Sequence, residues 1–229
     1  MSVQEENLVY SDAFYWKERW KNNSIEFHCK TNHKMLVKHL DKLTLNRQNL
    51  RFFFPLCGKS LDMAWLASLG HQVVGVEFVK SAIEEFFDEN KMQFKLIELD
   101  KFKLYSSLDE KLKIYHGDFF DFSNSYEESF DCVWDRGGLV ALPADQRQKY
   151  AEVIHRLLKK EFRYFLDAFE YDTSLYPGPP HLATLEELEK NFGCKCKIKL
   201  IDTNPSYRLF SESLKDKPPV ELLYLLTNH

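Results

Sequence analysis

An acid closing one strand, an arginine closing another and a turn short of glycines define the chemistry open to this chain. Glu77 ends the run GHQVVGVE. In a βαβ unit, an acid at the end of the second strand is placed to accept hydrogen bonds from ribose hydroxyls; the alternative is a surface glutamate on a structural unit. The turn ahead of the helix is Leu56-Cys57-Gly58-Lys59. A dinucleotide fingerprint needs three glycines there, so that backbone can approach a pyrophosphate, and only Gly58 is present. Gly58-Lys59-Ser60 has the wording of a phosphate-loop end, but the first glycine of that motif would fall on Phe53. A nucleoside ligand lacking a pyrophosphate fits better, and S-adenosylmethionine is the common one.

Further along, Asp118 in GDFFD stands after a strand, either to meet an adenine edge or to make a surface turn. Asp135-Arg136-Gly137-Gly138 ends another strand, and its paired glycines permit close backbone approach to a ligand. Arg136 keeps its charge at any ordinary pH and can stabilise an anion; its alternative is a structural ion pair with Asp135 or a neighbour. His28 and His181 have acid–base character, but they are two among eight histidines. No histidine, cysteine and carboxylate set has metal-ligand spacing, so no metal is expected.

These residues need strands to carry them. Arg51–Pro55 suits a strand buried on both faces. Ser60 to Leu69 follows as a helix with Leu61, Trp65 and Leu69 on one face, and Gly70 stands at its C′ position. Gln72–Val76 is the second strand. Before this unit, Ser11 can cap a helix bearing Trp16 and Trp20, and a helix over about 32–44 aligns Leu36, Leu40 and Leu43. Trp16, Trp20 and Phe27 either pack in the core or cover the ligand end of the sheet. After it, Ser81 and Glu84 form a capping-box pattern. Phe94–Ile97 and Phe102–Tyr105 pair as a small hairpin, and Lys113–His116 and Phe130–Trp134 are strands. Pro143 opens a helix with a stripe of Tyr150, Val153, Ile154, Leu157 and Leu158. Its end falls in the cationic run HRLLKKEFR, where the helix dipole favours positive charge. Phe162–Phe169 is a strand, Tyr176–His181 a proline-stiffened loop, and Thr184 with Glu187 caps another helix. Cys194–Ile201 and Leu222–Thr227 end the chain. Repeated β-α order with strands last gives an α/β fold: a mostly parallel sheet, helices on both faces and an antiparallel last strand.

A chain of 229 residues, 44% hydrophobic and 15% aromatic, can bury a substantial core as one domain. A net charge of −4 with no basic block argues against nucleic acid as a partner. The polar, acidic start MSVQEENLVYSD is not a signal peptide. No apolar run reaches the ~20 residues of a membrane span, so no membrane association is expected. Five cysteines, without a C-x-x-C pair, fit a reduced, cytoplasmic protein.

FFPLCGKSLDM, GHQVVGVE, VWDRGGLVAL and YPGPP, in that order, resemble the thiopurine S-methyltransferase family from about Trp16 to the C-terminus. The resemblance implies a Rossmann-like class I methyltransferase with a seven-stranded sheet, one domain over 1–229, and a helical lid over 1–45 that closes on the cofactor. It implies methyl transfer from S-adenosyl-L-methionine to a small aromatic or heterocyclic thiol, giving S-adenosyl-L-homocysteine, with no metal. A monomer acting on a small molecule is expected. The cofactor set carried over is Trp16, Phe27, Leu56, Glu77, Asp118, Phe119 and Arg136. Trp16, Leu56, Glu77 and Arg136 match the pattern outright, and Asp118-Phe119 by position. Arg136 is the catalytic candidate; Phe27, Pro179, His181 and Arg208 are the acceptor candidates. His181 stands where an aromatic or apolar residue is usual, and Asp167 and Glu170 also depart from vertebrate members. A halide, thiocyanate or selenol methyltransferase of the same superfamily is the alternative. A catalytically silent binding protein on this scaffold is the reading from a different class.

Overall fold

The computed structural model describes residues 13–206 and 210–229; the cap expected at Ser11 lies outside them. Strand β1 (Arg51–Phe54) buries Phe52, Phe53 and Phe54, as a strand covered on both faces must. Helix α3 (Leu61–Ser68) leads to β2 (Gln72–Glu77), parallel to β1. Gly70 ends the connection with a φ of +93°, a left-handed value that glycine adopts without a Cβ clash. Ahead of this unit lie α1 (Ala13–Lys21) and α2 (Lys34–Thr44). After it come α4 (Lys80–Glu89), β3 (Phe94–Glu98), β4 (Lys103–Ser107), β5 (Leu112–His116) and β6 (Phe130–Arg136). Helix α5 (Ala144–Leu157), β7 (Leu158–Glu170), α6 (Leu185–Phe192), β8 (Cys196–Pro205) and β9 (Val220–Asn228) complete the chain.

The sheet runs β3-β4-β5-β2-β1-β6-β7-β9-β8. Strands β5, β2, β1, β6 and β7 are parallel neighbours, and β9 lies antiparallel between β7 and β8. The order reverses at β1, so a crevice opens at the carboxyl ends of β1, β2 and β6. Strand β1 alternates its rings between two cores. Phe53 belongs to the core on the side of α5 and α6, with Tyr150, Ile154 and Leu188, and stacks on Phe122 and Phe130. Phe52 and Phe54 belong to the core on the other side, with Leu36, Met63, Ile83 and Phe86 of α2, α3 and α4. Among the described residues, no helix is long and apolar enough to cross a membrane.

The strand count is a correction. The sheet has nine strands rather than seven, because the β3–β4 hairpin joins its edge through β4, antiparallel to β5. Burial of Leu104 and Tyr105 anchors β4, while β3 is exposed along its length. Helix α3 also turns a different face inward: Asp62, Met63 and Leu66 are buried, and Leu69 is 42% exposed. The cause is Asp62, drawn inward by the Trp134 indole N–H at 3.0 Å and the His33 amide at 2.9 Å. The capping box does not form. Helix α4 starts one residue ahead of Ser81, Glu84 pairs with Lys80, and the Glu77 carboxylate accepts the Val79 N–H. Only the start of the cationic run is a helix end. Lys159 already lies on β7, where its ammonium meets Asp131 at 2.9 Å.

Candidate active site

A cavity of about 570 Å³ occupies the crevice at the carboxyl ends of the central strands, within the roughly 300–1,000 Å³ usual for small-molecule sites. Glu77 is 7% exposed at its floor. One carboxylate oxygen accepts the Gly58 N–H at 2.8 Å, and the other the Val79 N–H at 2.7 Å. Burial raises its pKa, and the amides of Val79, Gly58 and Phe78 work against that rise. Each oxygen keeps a lone pair for a hydroxyl. The turn holding Gly58 is sharply bent: Leu56 has a φ of +47° and Gly58 a φ of +52°. For a leucine this is a strained value, costing about 1–3 kcal/mol.

Asp118 caps the turn after β5, its carboxylate accepting the Phe120 N–H at 2.8 Å. It lines the cavity as well, so the turn role and a ligand role coexist. Phe119 lies beside it, 2% exposed and stacked on Tyr150 at 4.8 Å.

Arg136 closes β6. Its Nη2 donates to the Phe27 carbonyl at 2.6 Å and to the Cys29 sulfur at 3.0 Å, and its Nε has no hydrogen-bond partner among the described residues. The expected alternative, an ion pair with Asp135 or a neighbour, is not formed among them. Strand alternation turns Asp135 to the opposite face, where it accepts from Tyr150 and Tyr164 hydroxyls at 2.8 and 2.6 Å and from the Gly138 and Leu139 amides at 3.1 Å. Asp135 thereby fixes the glycine turn. A Cβ on Gly138 would stand 2.6 Å from both Asp135 and the Tyr150 hydroxyl.

Above the crevice, Trp16 and Trp20 of α1 meet Phe27 edge-on at 5.5 and 5.7 Å. Trp20 also packs on Val79 and Ala82. The Lys59 ammonium lies 5.8 Å from the Trp20 ring and 2.7 Å from both Glu85 and Glu89. His28 lines the same cavity; burial, then the Lys59 charge, lowers its pKa to about 4. The imidazole is therefore neutral at pH 7.

Trp16, Phe27, Leu56, Glu77, Asp118, Phe119, Arg136 and Pro179 all border this one cavity. His181 does not: its Nδ1 donates to the Pro177 carbonyl at 3.0 Å and its amide to the Val140 carbonyl at 2.7 Å. Arg208 lies outside the described residues. The Tyr176 end of the proline-stiffened loop lines the cavity, as expected of a wall, whereas sequence reasoning missed Asp62, Phe169 and Phe210; nothing local distinguishes such rings from core aromatics. It also passed over His33, whose Nε2 lies 3.9 Å from Asp167 and 3.8 Å from Glu221. These three buried residues are the one group among those described whose donors could converge on a metal ion, and none of them lines the cavity.

The chain matches the thiopurine S-methyltransferase family over residues 11–221. The probable thiopurine S-methyltransferase of Danio rerio is 38% identical over 230 residues, 99% of this chain and 98% of that protein. The thiopurine S-methyltransferase of Mus musculus is 37% identical over 215 residues, 93% and 90% of the two chains. Among solved structures, the 1,6-didemethyltoxoflavin-N1-methyltransferase of Burkholderia thailandensis, with bound S-adenosylhomocysteine, superposes with a TM-score of 0.62 at 16% identity, over 100% of this chain and 91% of that one. The sheet order and this likeness give the fold of the class I methyltransferases, and the sequence matches narrow it further: the chain belongs to the thiopurine S-methyltransferase family.

Proposed function

We propose that this protein methylates the sulfur of a small aromatic or heterocyclic thiol, taking the methyl group from S-adenosyl-L-methionine and releasing S-adenosyl-L-homocysteine. The observation that carries the reading is one cavity with Glu77 on its floor and, at the end of β6, an Arg136 guanidinium whose Nε has no hydrogen-bond partner among the described residues. The donor set fits the cofactor. Glu77 would accept the ribose hydroxyls, Asp118 and Phe119 would border the adenine, and Trp16, Phe27 and Leu56 would close over the rest. When bound, the sulfonium supplies an electrophilic methyl carbon and leaves as a neutral thioether.

The protein has little bond chemistry to perform. It holds the acceptor sulfur in line and excludes water. An alkyl thiol, with a pKa of ~8.5, is only a few per cent ionised at neutral pH. A heteroaromatic thiol is more acidic and releases its proton to solvent unaided. Arg136 then holds the thiolate beside the methyl carbon. Phe27 and Pro179 would border the acceptor, Arg208 would add a second positive charge, and His181 would shape the loop behind Pro179.

The site is assembled within one chain, which supports a monomer. We assign it to one domain over 1–229, with 1–45 as the lid. Five cysteines read as reduced thiols support the cytoplasm. The test is a methyl-transfer screen across aryl thiols, alkyl thiols, selenols and halides. Fastest turnover on aryl thiols is expected; turnover on halides alone would overturn the assignment.

A further inference from the structure

Lys59 is the part of the turn after β1 that the proposed reaction leaves unused. In a phosphate loop the lysine after the glycine reaches into the ligand. Here its ammonium is turned onto α4, donating to Glu85 and Glu89 at 2.7 Å each, and the residue is only 6% exposed. Burial works against the charge, but the two hydrogen bonds outweigh it and raise the pKa, so Lys59 is an ammonium throughout the neutral range. The same ammonium lies 5.8 Å from the Trp20 ring, which also covers Gly58: a Cβ there would stand 3.3 Å from Trp20 Cζ2. Trp20 in turn meets Phe27 at 5.7 Å, and the Phe27 carbonyl accepts from Arg136. A chain of contacts therefore runs from α4 through Lys59 and Trp20 to the segment above the crevice. Lys17 gives α1 a second anchor, its ammonium 4.4 Å from the Phe78 ring. A buried cation is a costly way to brace a strand–helix turn, where an apolar side chain of similar volume would pack as well. Its attraction to an indole face is directional, and tryptophan is the best partner for it.

We propose that Lys59 is a positioning residue for the cofactor: it holds Trp20 on the turn after β1 and so keeps the α1 segment closed over the crevice, without meeting the reacting atoms. The proposal rests on the reading of Trp16 and Phe27 as the cover of the cofactor, and makes no use of the acceptor. Lys59→Met should weaken S-adenosylhomocysteine binding about tenfold by calorimetry. The KM for S-adenosylmethionine should rise by the same factor, with kcat at saturation within about twofold of wild type. Trp20→Leu should lose at least as much, and the double variant no more than Trp20→Leu alone, because both changes break one contact. Lys59→Arg keeps the charge, the carboxylate partners and the stacking, and should restore most of the affinity. In hydrogen exchange on the free proteins, the α1 amides should open about tenfold faster in Lys59→Met while those of β1 and β2 keep their protection. A lysine that only braced the turn would alter β1 and α4 and leave α1 unchanged.

Loss of protection across the sheet identifies a misfolded variant; if Trp20→Leu is one, the comparison of Lys59→Met with Lys59→Arg decides. Wild-type affinity in Lys59→Met, unchanged α1 exchange, or losses that add in the double variant overturn the proposal. A wild type that binds no S-adenosylhomocysteine overturns the function assigned above, and α1 exchange in the free proteins then decides for Lys59 alone.

Discussion

Glu77 has two tasks that one substitution separates from mere burial. Its carboxylate joins the turn after β1 to the start of α4 through the Gly58 and Val79 amides. In the liganded protein it would also take the ribose hydroxyls, with charge-assisted hydrogen bonds of about 1.5–3 kcal/mol each. Glu77→Gln should weaken S-adenosylhomocysteine binding tenfold or more by calorimetry, and an unchanged affinity would remove the ribose assignment. The pH dependence has a definite sign. Burial raises the Glu77 pKa above its ordinary 4.5, and the ionised form is the better acceptor. Affinity is therefore complete above the raised pKa and falls as pH drops through it, at a higher pH than for an exposed glutamate. The glutamine variant should lose that acid limb.

At the scale of elements, Asp62 ties α3 to the entry of α2 and to β6. It accepts the buried His33 amide and Trp134 indole N–H. Asp62→Ala leaves both donors without an acceptor, so stability should fall by about 3 kcal/mol and the melting temperature by roughly 6–12 °C. A loss below about 1 kcal/mol in chemical denaturation would show that water replaces the carboxylate. This aspartate also explains one limit of the sequence. LDMAWLASL is apolar on several faces, so spacing alone could not select the buried one; a partner on β6, far along the chain, selected it. The βαβ unit itself was legible, because a strand-like run, a glycine-ended helix and a second run are local signals. The β3–β4 hairpin was legible as a pair, but not as part of the sheet, since that depends on Leu104 and Tyr105 finding β5. Glu77 and Arg136 could be read because strand ends fix where they point. Phe169 and Phe210 could not, because in a chain with 15% aromatic residues a ring is core until its neighbours are known.

The whole molecule brings the sheet's carboxyl edge, the α1 segment and the aromatic wall around one cavity, and Arg136 is where they meet. Activity should survive EDTA, because the displacement needs no Lewis acid and the His33, Asp167 and Glu221 group lies off the cavity lining. Loss on chelation, restored by one divalent ion, would assign that group a role in turnover. Arg136→Ala has two separable consequences. Losing the hydrogen bonds to the Phe27 carbonyl and the Cys29 sulfur loosens the covering segment, and that cost is the same at every pH. Losing the positive charge disfavours the bound thiolate, and that cost shrinks as alkali supplies thiolate from solution. His28 adds no inflection above pH 6, since its pKa is held at about 4. The measurement is a pH–rate profile of kcat at saturating acceptor, which reports ionisation in the bound complex, from pH 6 to pH 9, for wild type and Arg136→Ala, on one aryl and one alkyl thiol. The defect should be about tenfold larger at pH 6 than at pH 9 for the thiol that titrates between them, which corresponds to roughly 1.4 kcal/mol of lost thiolate stabilisation. A defect constant across the range would reduce Arg136 to a tether for the Phe27 segment and leave thiolate formation to the acidity of the substrate alone.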